Sequence, residues 1–173
     1  MNDYELRPMI SALVNKVFEQ NADQLSSAEQ PQVVASANIS HDKIIKMLLM
    51  SDVLGRVQVI YPANGMLDVD TLNQKFGRTL EALPDEDVAN VIAQYELTKL
   101  PAIPDITGLP AIIDEQVLEF DEIYLEAETP EQLIKLSKNA FSVLTKKAKV
   151  ASFVVPISQI HCNISKPASD LAQ

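Results

Sequence analysis

Near the start of the chain, apolar residues recur at helical spacing: Leu6, Met9, Ile10, Leu13, Val14, Val17 and Phe18. With Pro8 suited to a first turn, the pattern predicts an amphipathic helix over residues 8–20. Residues 21–32, rich in Asn, Gln, Ser and Ala, read as a connection, with no clear strand after it. Ser40 reads as the N-cap of a short turn through His41 and Asp42. Apolar runs over 43–50 and 57–61 flank the stretch SDVLGR, where Gly55 supplies the turn, and predict a central β-hairpin. Residues 68–76 read as a helix ended by Gly77, 79–83 as a short strand, and the stretch from Pro84 to about Tyr95 as a helix with acids in its first turn. A loop dense in proline follows, with Pro101, Pro104 and Pro110. Beyond it, 111–113, 122–126 and 132–136 read as strands, 137–148 as a helix and 151–155 as a last strand. Strands and helices mix without a regular βαβ alternation. The expectation is therefore an α/β fold with a mixed, mainly antiparallel sheet flanked by helices.

Length and composition refine this picture only a little. At 173 residues the chain is the size of one domain and can bury a core without a disulfide. A single domain over residues 1–165 is expected, with 1–39 as N-terminal helix and connection and 166–173 as a tail or linker. The single cysteine, Cys162, and a start without a basic and apolar leader point to a reducing cytoplasm. No apolar run approaches a membrane span, so no membrane partner is expected.

Charge changes the picture more. A formal net charge of -10 repels nucleic-acid phosphates unless the cations are gathered on one face. Between residues 84 and 131 the only cation is Lys99, among acids that include Asp114, Glu122 and Glu126. Between 132 and 149 stand Lys135, Lys138, Lys146, Lys147 and Lys149 without an acid. That polarity is either a basic face or simply a solvated lysine-rich helix beside a solvated acidic surface.

Several chemistries fail on residue supply. His41, His161 and Cys162 do not make a usual zinc site, so no metal is expected. The four glycines stand apart, with no phosphate-binding loop around them. His161 and Cys162 are sequence neighbours, whereas a nucleophile and its base usually come from separate elements. Lys46 is different. It interrupts the apolar run Ile44-Ile45-Lys46-Met47-Leu48, where a charge needs an exit to solvent or an anionic partner. It is either a snorkelling edge lysine or a contact for a phosphate or carbonyl oxygen in a cleft.

Taken in order, these segments resemble a known family. Ile44 to Met50 with Lys46, Val57-Gln58-Val59-Ile60-Tyr61-Pro62-Ala63, Leu67-Asp68-Val69-Asp70-Thr71-Leu72, the proline-rich loop, Leu109-Pro110-Ala111-Ile112-Ile113-Asp114-Glu115, Asp121-Glu122-Ile123-Tyr124-Leu125-Glu126-Ala127 and Leu133-Ile134-Lys135-Leu136 are similar to the YbaK/prolyl-tRNA synthetase-associated editing domains. The resemblance covers residues 40–160. It implies a YbaK-like, barrel-like mixed sheet and hydrolysis, in trans, of the ester of a mischarged aminoacyl-tRNA, whose 3′ end would be the partner. It implies neither metal nor cofactor.

In that family a strand lysine and a Gly-x-x-x-Pro loop shape the pocket. Lys46 matches the lysine. With Tyr95-Glu96 aligned to the family's Tyr-Glu, the loop becomes Thr98-Lys99-Leu100-Pro101-Ala102, with Thr98 in place of the glycine and Ala102 in place of the proline. A Cβ at the glycine position should narrow or reshape the pocket. Glu126 stands where the family has a small or hydroxyl residue. The resemblance therefore assigns Lys46, Thr98 and Lys99 to catalysis and Leu100, Pro101, Ala102 and Glu126 to substrate binding. The departures are more like the variant domains found with HDOD signalling modules. They leave a second reading open, a degenerate ligand-binding or regulatory domain with a fused or interacting signalling domain.

Overall fold

The computed structural model describes residues 9–97 and 99–156. Helix α1 (Ile10–Gln20) buries the predicted stripe, Ile10, Val14, Val17 and Phe18. After two 3-10 turns comes β1 (Gln32–Ala35), where the sequence reads as a connection. Three of its four residues are exposed, so no apolar alternation marks it. It is held instead by a strand a hundred residues away, β8 (Gln132–Ser137), through Val33 opposite Ile134 and Val34 opposite Leu133.

The hairpin forms as expected. β2 (Ile45–Asp52) and β3 (Gly55–Pro62) pair along their whole length, and Gly55 takes the positive φ of 128° that the turn requires. β4 (Gly65–Leu67) leads to α2 (Val69–Phe76), whose start is fixed by Asp68 accepting from the Thr71 N–H. Gly77 ends that helix in the left-handed region. The strand predicted over 79–83 contracts to β5 (Glu81–Ala82), paired with Met50 and Ser51. α3 (Asp85–Gln94) opens with Asp85, Glu86 and Asp87, which favour the positive end of the helix dipole.

Within the proline-rich loop lies one helical turn not read from the sequence, α4 (Pro104–Thr107). β6 (Ala111–Asp114), β7 (Glu122–Glu126) and β8 follow. α5 (Lys138–Leu144) is capped by the Ser137 hydroxyl and stops short of the predicted residue 148. The predicted last strand divides into β9 (Lys149–Ala151) and β10 (Val154–Pro156). Between them the Phe153 N–H donates to the buried Asp114 carboxylate, turning the chain from one sheet to another.

β5-β2-β3-β6-β9 make the central sheet, β1-β8-β7 a second and β10-β4 a third. Five of the seven strand pairings among the described residues are antiparallel, so the mixed, mainly antiparallel character holds. These pairings form no closed barrel. A single parallel bridge, Ile44 to Tyr124, joins the edge of β2 to β7.

The faces of β2 belong to different cores. Ile45 packs in a large cluster with Ile60, Ile113, Leu125 and α1, and Met47 packs against it. Met50 packs with Val57, Val59 and Leu72, joined by Leu48 and Tyr61.

Candidate active site around Lys46

Strand alternation decides where Lys46 points. Side chains two apart share a face, so Lys46 lies with Leu48 and Met50 and directly across from Tyr61 of β3. It is half-buried and makes no ion pair among the described residues. On the other side of β2 the Ile44–Tyr124 bridge sets a parallel register with β7. Glu126 lies two residues beyond Tyr124 on β7, as Lys46 lies two beyond Ile44 on β2.

Glu126 has two polar neighbours of its own. Its carboxylate lies 3.7 Å from the Lys99 ammonium, and its field, second to burial, raises the Tyr61 hydroxyl above the ordinary tyrosine range. Tyr61, Lys46, Glu126 and Lys99 make a polar row in which Tyr61 links Lys46, its cross-strand partner, to the Glu126–Lys99 pair. Lys46, Lys99 and Glu126 were picked out from the sequence. Tyr61 was not, because its signal is its register with Lys46, which only the paired hairpin provides.

The loop reaches the row by a strained exit from α3. Glu96 takes a positive φ of 57°, its N–H bonding to the Ala93 carbonyl while the Leu97 N–H bonds back to that of Ile92. This double closure is the usual left-handed helix ending, here built on a residue with a Cβ. Leu97 is thereby driven into the core. Thr98 lies outside the described residues, as do His161 and Cys162. Leu100, like Met47 and Tyr95, packs against the core, and Ala102 and Ile103 enter the same core as Ile45 and Ile60. Pro101 is buried as well. The loop's apolar side chains therefore occupy the face of β2 opposite to Lys46. Of the residues that the resemblance assigns to substrate binding, Pro101 and Ala102 are thus buried and Ala102 belongs to the core.

The N–H groups of Lys99, Leu100, Ala102 and Ile103 have no acceptor among the described residues.

Gln58 holds the far half of the loop. Fully buried on β3, it donates through Nε2 to the carbonyls of Pro104, at 3.2 Å, and Leu109, at 2.9 Å. Its own N–H donates to the Pro110 carbonyl, and the Tyr95 hydroxyl donates to that of Thr107. The prolines fit this role: Pro104 begins α4 at a position where no N–H is needed, and Gly108 ends it in the left-handed region. Among the described residues, no three or more His, Cys, Asp or Glu side chains gather as a metal site. No described helix is long and apolar enough to cross a membrane.

Comparisons with known proteins agree with this architecture. A candidate signal transduction protein from Marinobacter aquaeolei VT8 matches with TM-score 0.73 and 29% identity, over 83% of this chain and 30% of that one. The chain thus spans less than a third of that protein's length. A candidate trans-editing enzyme for prolyl tRNA synthetase matches with TM-score 0.63 and 19% identity, over 83% of this chain and 95% of that one. At that identity the likeness shows the fold. None of the curated proteins matches. The family model described as the aminoacyl-tRNA editing domain matches residues 26–142. With more than half of its length so matched, the chain belongs to the aminoacyl-tRNA editing domain family.

Proposed function

We propose that the protein is an aminoacyl-tRNA deacylase that hydrolyses the ester of mischarged tRNA in trans. The observation that carries this reading is Lys46, a half-buried cation without an ion-pair partner among the described residues, on a face of β2 that the loop's apolar side chains leave alone. A lysine so placed suits the terminal phosphate or the ester oxygen of an aminoacyl 3′ end. Water is the nucleophile. As it adds to the ester carbonyl, negative charge develops on the carbonyl oxygen, and the N–H groups of Lys99 and Leu100 are donors not committed to another described residue. Each such donor in a dry site is worth about 3 to 4 kcal/mol of barrier. Collapse of the tetrahedral species releases the ribose hydroxyl and the free amino acid.

Lys99 and Glu126 belong to the same site, as a loop cation and a strand anion at its rim. Leu100, Pro101 and Ala102 shape it indirectly, by anchoring the loop in the core. The absence of glycine and of the final proline in Thr98-Lys99-Leu100-Pro101-Ala102 changes the amino acid accepted, since a reshaped loop alters selectivity through the same contacts. The test is incubation with a panel of mischarged tRNAs. Ester loss above background for at least one supports the reading; none for any of them favours the non-catalytic, signalling-associated alternative.

A further inference from the structure

We infer that Glu126 is the counter-ion for the free α-ammonium group of the aminoacyl ester, so that the site accepts aminoacyl but not N-blocked aminoacyl ends. The inference rests on the deacylase reading and assigns a role to one residue within it. Lys99 provides the key observation: its ε-ammonium sits 3.7 Å from the Glu126 carboxylate, showing that an ammonium group is accommodated there. The pair is open to exchange, since the side chains retain 33% and 44% of their exposure. Exposed pairs of this kind contribute only about 0 to 1 kcal/mol, so a substrate ammonium can displace Lys99 at little cost.

The neighbouring charge fits the same substrate. Lys46 stands across β2 and β3 from Tyr61, whose hydroxyl also feels the Glu126 carboxylate, yet Lys46 and Glu126 form no ion pair. A cation and an anion held apart match a molecule that carries a phosphate on one side of its ester and an ammonium on the other. Each finds an opposite charge. A peptidyl or acetylated amine has no charge to exchange for that of Lys99 and turns its carbonyl oxygen toward the carboxylate. That mismatch makes the site reject blocked ends as well as favour free ones.

The test uses the full chain and non-hydrolysable probes, the alanyl and prolyl amides of 3′-amino-3′-deoxyadenosine 5′-monophosphate, each with its N-acetylated form. Binding is measured by calorimetry for the wild type and Glu126→Gln, with deacylation of mischarged tRNA followed in parallel. Acetylation should weaken binding to the wild type by about tenfold or more, as expected for loss of a charge-assisted contact. In Glu126→Gln the difference should fall below about twofold. Equal binding of free and acetylated amides to the wild type, with deacylation retained, overturns the role of Glu126 alone. Discrimination without deacylation keeps that role and removes the deacylase reading. Failure of every amide to bind, with no deacylation, overturns both.

Discussion

At the scale of single residues, the polar row depends on charges that stability does not require. Lys46 is half-buried without an anion among the described residues, and Lys46→Met should leave the melting temperature unchanged or raise it, as seen by thermal denaturation. A marked loss of stability would mean that Lys46 is a structural residue. Glu96 makes the opposite case, a backbone conformation that a Cβ opposes. Replacing it by glycine should stabilise the fold by up to about 1 kcal/mol in denaturant titration, since the relief exceeds the entropy glycine adds to the unfolded chain. Lys46 was legible in the sequence because a charge within an apolar run is a local anomaly. Gln58 was not: in Val57-Gln58-Val59 it looks like an ordinary solvent-facing position, and its partners Pro104 and Leu109 lie about fifty residues away.

At the scale of elements, two contacts organise the surroundings of the site. Gln58 ties β3 to both ends of α4, and Gln58→Leu leaves the Pro104 and Leu109 carbonyls without this donor. The expected cost is about 2 to 3 kcal/mol, with faster amide exchange confined to residues 104–110. Uniform acceleration across the domain would show that Gln58 supports the core rather than the loop. The second contact joins β4 to β10. A Cβ at Gly65 would overlap Val154 Cγ1, and a valine has no flexible end to move aside. Gly65→Ala should therefore destabilise by roughly 1 to 3 kcal/mol, and Val154→Ala in the same chain should recover part of it.

Elements with local signals were the ones the sequence disclosed. The hairpin carries Gly55 at its turn, and α2 lies between the Asp68 cap and Gly77. β1 and β4 are short and depend on β8 and β10, so their stabilising partners are not sequence neighbours. α4 is hidden for another reason. Pro104 and the prolines on either side of it read as loop-formers, although Pro104 begins a helical turn.

At the scale of the whole molecule, the acidic excess is partly organised. Asp52 is enclosed by Arg78, which donates twice at 2.6 Å, and its carboxyl is held far below the usual carboxylate range by that contact. Asp68, Glu122 and Glu29 are lowered too, chiefly by the Thr71 side chain, Lys135 and Asn139 respectively. Carboxylates lowered in the folded state stabilise it above their unfolded values of about 3.9 to 4.3, and that stability is lost as pH falls through the folded values. The melting temperature should accordingly drop below about pH 4. In Asp52→Asn the protein should be less stable at neutral pH and show a shallower drop. An unchanged acid profile in that variant would remove Asp52 from the account.

The central claim is that Lys46 serves a hydrolytic site and not only a sheet. Its most direct measurement is the deacylation rate of the panel of mischarged tRNAs by the wild type and by Lys46→Ala, with melting temperatures recorded for both. Ester loss is expected for at least one tRNA, with a fall of about a hundredfold in Lys46→Ala, as when one charge-stabilising group is removed from a site, and equal thermal stability. No hydrolysis by the wild type, or equal rates in the two proteins, would contradict that claim.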